Sequence, residues 1–425
     1  MAERVVLLSI PQLRHKDVTP GALASLDRMA GRGALAELVP AFPGLAASSF
    51  ATLMTGTGPY EHGLIGNSYY DRAEGRVRVG PLPDSVVQAP RLWDRLRAVK
   101  PGARSMLWFA PNFRGATVDL GAWVESDWQL ATEPPALAKG LLDRFGPFPS
   151  PVSRGEPPRL EVSTWLLKAA AQVIADEQPT LAVVRVPYLG QVARRFGPDG
   201  REAGRAIREL ESILAPFLAT LDRATLTIAV TESVTTPVSG PIYPNRVLRG
   251  LGLLALKPDD KGGLAIDLGQ SAAFALADHQ VCHIYLNDPD QAATIASAFA
   301  GAHNDGVDTV APGAARAGLG LDHPRAGDVV LVACPDRWFA PDWWLTAEEA
   351  PKSSGLGSAL ISFSTDIPLD PTHVKGSLGA PPPNADYLGV IVASQPNALG
   401  SMPQVSARDV AQLVLRNWEK SSDLT

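Results

Sequence analysis

Apolar residues along this chain come in short, nearly continuous runs rather than in strict alternation with polar ones. VVLLSI (5–10), SMLWFA (105–110), LAVVRVPYL (181–189), TLTIAV (225–230), VCHIYL (281–286), DVVLVAC (328–334) and LGVIVAS (388–394) are each strand-sized. Runs of that length with few polar breaks predict strands buried on both faces, the signature of a parallel sheet. Helical spacing fills the gaps, in TPGALASLDRMAGRG (19–33), STWLLKAAAQVIADE (163–177), EAGRAIRELESILAPFLATLD (202–222) and DQAATIASAFAG (290–301). Arg205 and Glu209, four apart, read as a solvated charged face. Strands alternating with helices predict the α/β class, with a mostly parallel central sheet sandwiched by helices.

Two regions depart from that rhythm. From about 240 to 325 the chain mixes turns and short strands, and reads as a small cap insertion within a single domain spanning 1–425. The stretch 335–385, rich in Pro, Gly, Ser and Trp, reads as a loop-dominated return across one face.

Composition narrows the partners. The chain has 425 residues, 45% hydrophobic and 19% charged, with a net charge of −6 and no basic run longer than a pair. That balance leaves no electrostatic footprint for nucleic acid. No apolar run approaches the roughly 20 residues that cross a bilayer, so no membrane partner is expected. MAER leads straight into VVLLSI without the apolar core or cleavage site of a signal peptide. Cys282 and Cys334, the two cysteines, cannot build a framework of several disulfides. A cytoplasmic location is the expectation.

Six blocks, taken in order, carry a resemblance. They are AFPGLAASSFATLMTGTGPYEHGLIGN (41–67), VRVPYLGQVARRFGPDG (184–200), VTESVTTPVSGPIYPNRVLRGLGLL (230–254), DHQVCHIYLND (278–288), CPDRWFAPDWWL (334–345) and HVKGSLGAP (373–381). Their order and spacing resemble type I phosphodiesterases and nucleotide pyrophosphatases of the alkaline phosphatase superfamily. The resemblance implies an alkaline phosphatase-like fold and hydrolysis of phosphodiesters or phosphonates by two zinc-like ions. Two adjacent cations clamp the attacking and leaving oxygens and activate a threonine nucleophile.

The residues which that chemistry needs are replaced. By the resemblance, the first metal-binding aspartate falls at Pro11 and the nucleophilic threonine at Ala46. The asparagine that supports the transferring group falls at Ser49. A second aspartate falls at Gly190, a histidine at Arg194, an Asp-His pair at Glu232 and Ser233, and a late histidine at Leu378. A further histidine has no counterpart in PKSSGLGSALISFSTDIPLD (351–370). Of this set Glu232 alone keeps a carboxylate, so no metal and no other cofactor is expected.

Each remaining polar residue has a bland reading beside a functional one. Ser48 and Ser49 open a helix, where serine caps free N–H groups; a displaced nucleophile is the alternative. Glu232 and Arg194 form either a buried structural ion pair or a catalytic acid/base pair. His62 orders its turn. His279 and His283 share one face of an extended chain, as structural residues or as a paired metal site, and Cys282 beside them is a small buried hydrophobe. Asn245 and Arg246 contact an anionic ligand or anchor the cap. Trp338, Trp343 and Trp344 line a pocket or seal the sheet.

Three functions follow. In the first, a pocket of Ala46, Ser49, Tyr188, Gly190, Arg194, Glu232, Ser233, Arg246, Trp338 and Trp343 performs metal-free acid/base chemistry on a small organic substrate, as an isomerase, cyclase or hydrolase. In the second, a pseudoenzyme uses the fold for binding a small molecule or a protein. In the third, a phosphodiesterase works with atypical metal ligands.

Overall fold

The computed structural model describes residues 2–112, 114–125, 129–149, 159–259, 262–300, 306–350, 370–400 and 402–419. The central sheet is built from β1 (Val5–Ile10), β2 (Ala34–Val39), β3 (Ser105–Trp108), β4 (Leu120–Val124), β5 (Leu130–Glu133), β6 (Leu181–Arg185) and β7 (Leu226–Thr231). A second sheet takes β8 (Ala273–Asp278), β9 (Val281–Leu286), β10 (Val307–Pro312) and β11 (Val329–Ala333). The chain then returns to the central sheet with β12 (Gly389–Ala393) and β13 (Gln404–Ser406). The central order is β13-β2-β12-β7-β1-β6-β3-β4-β5, and β7, β1, β6, β3 and β4 form an unbroken parallel block.

Alternate residues of β1 feed two separate cores. Val6, Leu8 and Ile10 pack with α1 (Ala24–Arg32), α3 (Leu160–Glu177) and α5 (Arg201–Thr220) through Leu26, Met29, Trp165, Leu210 and Leu214. Val5 and Leu7 face α2 (Ala46–Thr55) and α8 (Val410–Glu419) through Phe50, Leu53, Met54, Val410 and Val414. Side chains of a strand point to opposite faces in turn, so a strand covered on both sides must be apolar throughout. That is the reason for the near-continuous apolar run VVLLSI, which Ser9 alone interrupts. The four expected helices are present as α1, α3, α5 and α7 (Ala292–Ala300).

Three of the apolar runs do not join a parallel sheet as expected. LGVIVAS forms β12, inside the central sheet but antiparallel to both β2 and β7. VCHIYL and DVVLVAC form β9 and β11 of the second sheet, of order β8-β9-β11-β10 and antiparallel throughout. Burial on both faces explains the misreading. Cys282 and Ile284 enter one apolar cluster with Phe299 of α7, while Val281 and Val330 enter another with Leu64 and Ile65. A doubly covered antiparallel strand carries the same apolar pattern as a parallel one.

Residues beside the central sheet grip the second sheet. Tyr70 packs edge-on against Phe274 and Tyr285, Arg72 pairs with Asp328, and Arg325 donates to the carbonyls of Gly63 and Val86. Among the described residues no helix is long and apolar enough to cross a membrane. The 351–370 stretch, where a ligand histidine has no counterpart in the sequence, lies outside the described residues except for Asp370.

Candidate functional site at the strand ends

The carboxyl ends of β6, β1 and β7 lie side by side, the position where open α/β sheets bind their ligands. Register places Ser9 of β1 opposite Arg185 of β6 and Val230 of β7. Glu232 follows β7 directly. Its carboxylate accepts hydrogen bonds from Ser9 Oγ at 3.1 Å, Arg185 Nε at 2.6 Å and Arg185 Nη2 at 2.8 Å. The Glu232 side chain is fully buried and that of Arg185 is 19% exposed.

The expected Glu232–Arg194 pair is therefore not formed; the guanidinium on Glu232 belongs to Arg185. Arg194 is half-buried on α4 (Tyr188–Phe196), and its carbonyl accepts from the Lys375 amide. Proximity along the motif suggested Arg194, whereas strand register selects Arg185. The available signal was an arginine closing the otherwise apolar strand LAVVR.

Beyond β1 the chain is locked in place. Pro11 is buried, and an added Cβ on Gly190 would lie 2.9 Å from the Pro11 Cβ. Two positions that the resemblance assigns to metal-binding aspartates thus face each other with no donor side chain on either. Gln12 adopts a left-handed φ of 69°, donates its amide to the Ser233 carbonyl at 2.7 Å and accepts from the Thr235 amide through Oε1. Arg14 forks onto Asp17 at 2.9 and 3.2 Å and reaches Asp199 at 2.6 Å. Tyr387 donates to the same Asp199 carboxylate. Burial pushes Asp199 upward, but the Tyr387 hydrogen bond and the Arg14 guanidinium hold it below the ordinary carboxylate range. Gln12, Arg14 and Asp199 escaped the sequence reading because local spacing does not show long-range partners.

The other candidates separate. Ala46 is half-buried at the first position of α2. Ser48 and Ser49 are fully buried, and neither hydroxyl has a hydrogen-bond partner among the described residues. The expected capping is not made: Leu45 is the N-cap, and the Ala47 amide donates to Asn67 Oδ1. Both serines lie too far into the helix to serve its free amides. Ser233 is buried and offers its carbonyl to Gln12. Tyr188 donates to Glu209 on α5, and burial together with that carboxylate pushes its phenol up. Leu378 is buried in an apolar cluster with Leu45, Ala47 and Val281.

Arg246 and the tryptophans lie in the second-sheet region. Arg246 on α6 (Pro244–Gly250) pairs with Asp342 at 3.5 Å and lies 3.9 Å from the Tyr243 ring centroid. Asn245 brackets the Ala275 backbone, donating to its carbonyl and accepting from its amide, which is the anchoring role. Trp338 and Trp343 are 1% and 0% exposed, so they seal the fold and line no open pocket. His62 accepts from the Leu64 amide through Nδ1 and meets Thr52 through Nε2, ordering its turn. His279 falls in the two-residue turn between β8 and β9 at φ 59°, so it does not share an extended face with His283. Cys282 is fully buried. Among the described residues no group of three or more His, Cys, Asp or Glu side chains is placed to hold a metal ion.

Comparisons with known proteins agree with this architecture. An uncharacterized pyrophosphatase/phosphodiesterase of Schizosaccharomyces pombe is 22% identical over 223 residues, 52% of this chain; the match spans 41% of that relative's length. Phosphonoacetate hydrolase from Sinorhizobium meliloti 1021, solved with phosphonoacetate, superposes with a TM-score of 0.69 at 16% identity, over 98% of this chain and 95% of that one. Murine ectonucleotide pyrophosphatase/phosphodiesterase 5 gives 0.65 at 15% identity, with the same coverage. At such identities the likeness shows the fold, which is alkaline phosphatase-like. The family model described as type I phosphodiesterase / nucleotide pyrophosphatase matches residues 5–357, and the chain belongs to that family.

Proposed function

We propose that this family member has given up two-metal phosphoryl transfer and acts as a binding protein on the retained fold. The observation that carries the reading is the Glu232 carboxylate, whose two oxygens are both held by the Arg185 fork. A pair of catalytic cations asks for about six nitrogen, oxygen or sulfur donors. At the positions concerned Pro11, Ala46, Gly190 and Leu378 supply none, Arg194 supplies a positive charge, and Glu232 is already engaged. The residues present do not fit two zinc-like ions.

Metal-independent acid/base chemistry on a small organic substrate is supported less well. A general acid or base must reach its substrate within hydrogen-bond distance. Glu232 is fully buried and accepts three hydrogen bonds, while Tyr188 is engaged with Glu209. The partner we favour is a small molecule or a protein. The net charge of −6 argues against nucleic acid, and the two free cysteines agree with a cytoplasmic setting.

The test is turnover of an aryl phosphodiester with added zinc or manganese, beside a metal-dependent family member. The reading expects no rate above the uncatalysed one for this chain. Metal-dependent turnover overturns it.

A further inference from the structure

We propose that the Arg185 guanidinium is the resident cation of the strand-end site. It supplies from within the chain the positive charge that the buried Glu232 carboxylate requires, and closes that carboxylate to metal ions. The inference rests on the reading that two-metal chemistry has been given up.

An ionised carboxylate removed from water is strongly disfavoured unless an opposite charge and hydrogen bonds replace its hydration. Glu232 has no exposed side-chain surface, so its compensation must come from its immediate neighbours. Arg185 reaches both oxygens, Nε to Oε2 at 2.6 Å and Nη2 to Oε1 at 2.8 Å. A planar guanidinium matches a carboxylate in this two-pronged way, and a lysine ammonium does not. Ser9 Oγ adds a third donor at 3.1 Å.

The three residues come from three neighbouring strands or their immediate ends. Ser9 is opposite Arg185 across one ladder, and Ile10 is opposite Thr231, the residue before Glu232, across the other. The pair therefore joins β6 to β7 over the top of β1, where the chain beyond each strand begins. A metal ion approaching Glu232 would meet a guanidinium that already binds both of its oxygens.

Urea unfolding of the full chain tests this with Arg185→Gln, Glu232→Gln, the double variant and Arg185→Lys. Removing the cation strands a buried negative charge, whereas removing the carboxylate charge leaves a part-exposed guanidinium that water can reach. The expected midpoints fall in the order wild type, Glu232→Gln, Arg185→Gln, with the double variant recovering most of the Arg185→Gln loss. Arg185→Lys falls between wild type and Arg185→Gln. Losses that simply add in the double variant overturn the inference, as does a double variant less stable than either single. If Arg185→Gln does not yield folded protein, a double variant that folds supports the inference and one that fails equally overturns it. Additive losses in a metal-free, inactive protein sink this inference alone. Metal-dependent turnover sinks the functional reading whatever the coupling.

Discussion

The ring of Pro11 fills the space that a side chain on Gly190 would need, with only 2.9 Å between its Cβ and an ideal Cβ built on Gly190. Contact between real Cβ atoms is essentially never that close, so the two residues are matched to each other. Gly190→Ala should therefore destabilise the fold by about 1–3 kcal/mol through overpacking, outweighing the roughly 1 kcal/mol that alanine gains over glycine in a helix such as α4. In a Pro11→Gly background the same substitution should become neutral or stabilising. Chemical unfolding of the four chains decides it; a Gly190→Ala loss unaffected by Pro11→Gly contradicts the packing.

Asn67 ties the start of α2 to the second sheet. Its Oδ1 accepts from the Ala47 amide at 3.0 Å, while its own amide and Nδ2 donate to Asp278 at 2.7 and 2.9 Å. Asn67→Ala should lower unfolding stability by about 2 kcal/mol, since it removes the side-chain bonds to the Ala47 amide and to Asp278 Oδ1. Asn67→Asp should be worse, because it sets a second carboxylate against Asp278. Equal losses for the two variants would count against this bridge.

Asp342 makes stability depend on pH in an unusual direction for a carboxylate. Burial pushes it up to about 6 against the pull of Arg246. The folded chain then holds this proton more tightly than the unfolded chain does. The stability this group contributes is fully present below the ordinary carboxyl value and is lost as pH rises through about 6. Asp342→Asn should accordingly gain on the wild type between pH 5 and pH 7.5, read as urea midpoints. A difference that stays constant over that interval contradicts the assignment.

His62 acts in the opposite sense. Burial, with Arg408 and His323 nearby, pushes it down to about 3. Its Nδ1 accepts an amide proton, so the neutral ring carries its hydrogen on Nε2, toward Thr52. Stability from this residue is present above the ordinary histidine value and is lost as pH falls toward about 3. Nitrogen-detected NMR at pH 5 should find His62 neutral and protonated at Nε2. An imidazolium signal at that pH rules this out.

The sequence carried the sheet more fully than it carried the site. Apolar runs located β1, β6, β7 and β12 because strands covered on both faces must be apolar, and helical spacing located α3 and α5. Direction was not legible: β9, β11 and β12 have the pattern of parallel strands and run antiparallel, since burial rather than pairing sets the pattern. At the site, Pro11, Gly190 and Leu378 were legible as absent donors. The partner of Glu232 was not, because Arg185 meets it across β1, 47 residues away along the chain. Ser48 and Ser49 show the converse error, in which a residue type suited to capping lies three and four positions beyond the N-cap Leu45. The tryptophan cluster had two equal readings, and burial chose the sealing one.

The proposed loss of a two-metal centre at the strand ends is tested by the zinc content of the full chain after equilibrium dialysis against zinc and removal of free metal, measured by mass spectrometry. Substoichiometric zinc and a thermal midpoint unchanged by chelator are expected. Two equivalents of zinc retained per chain, with a midpoint that falls when they are stripped, would contradict it.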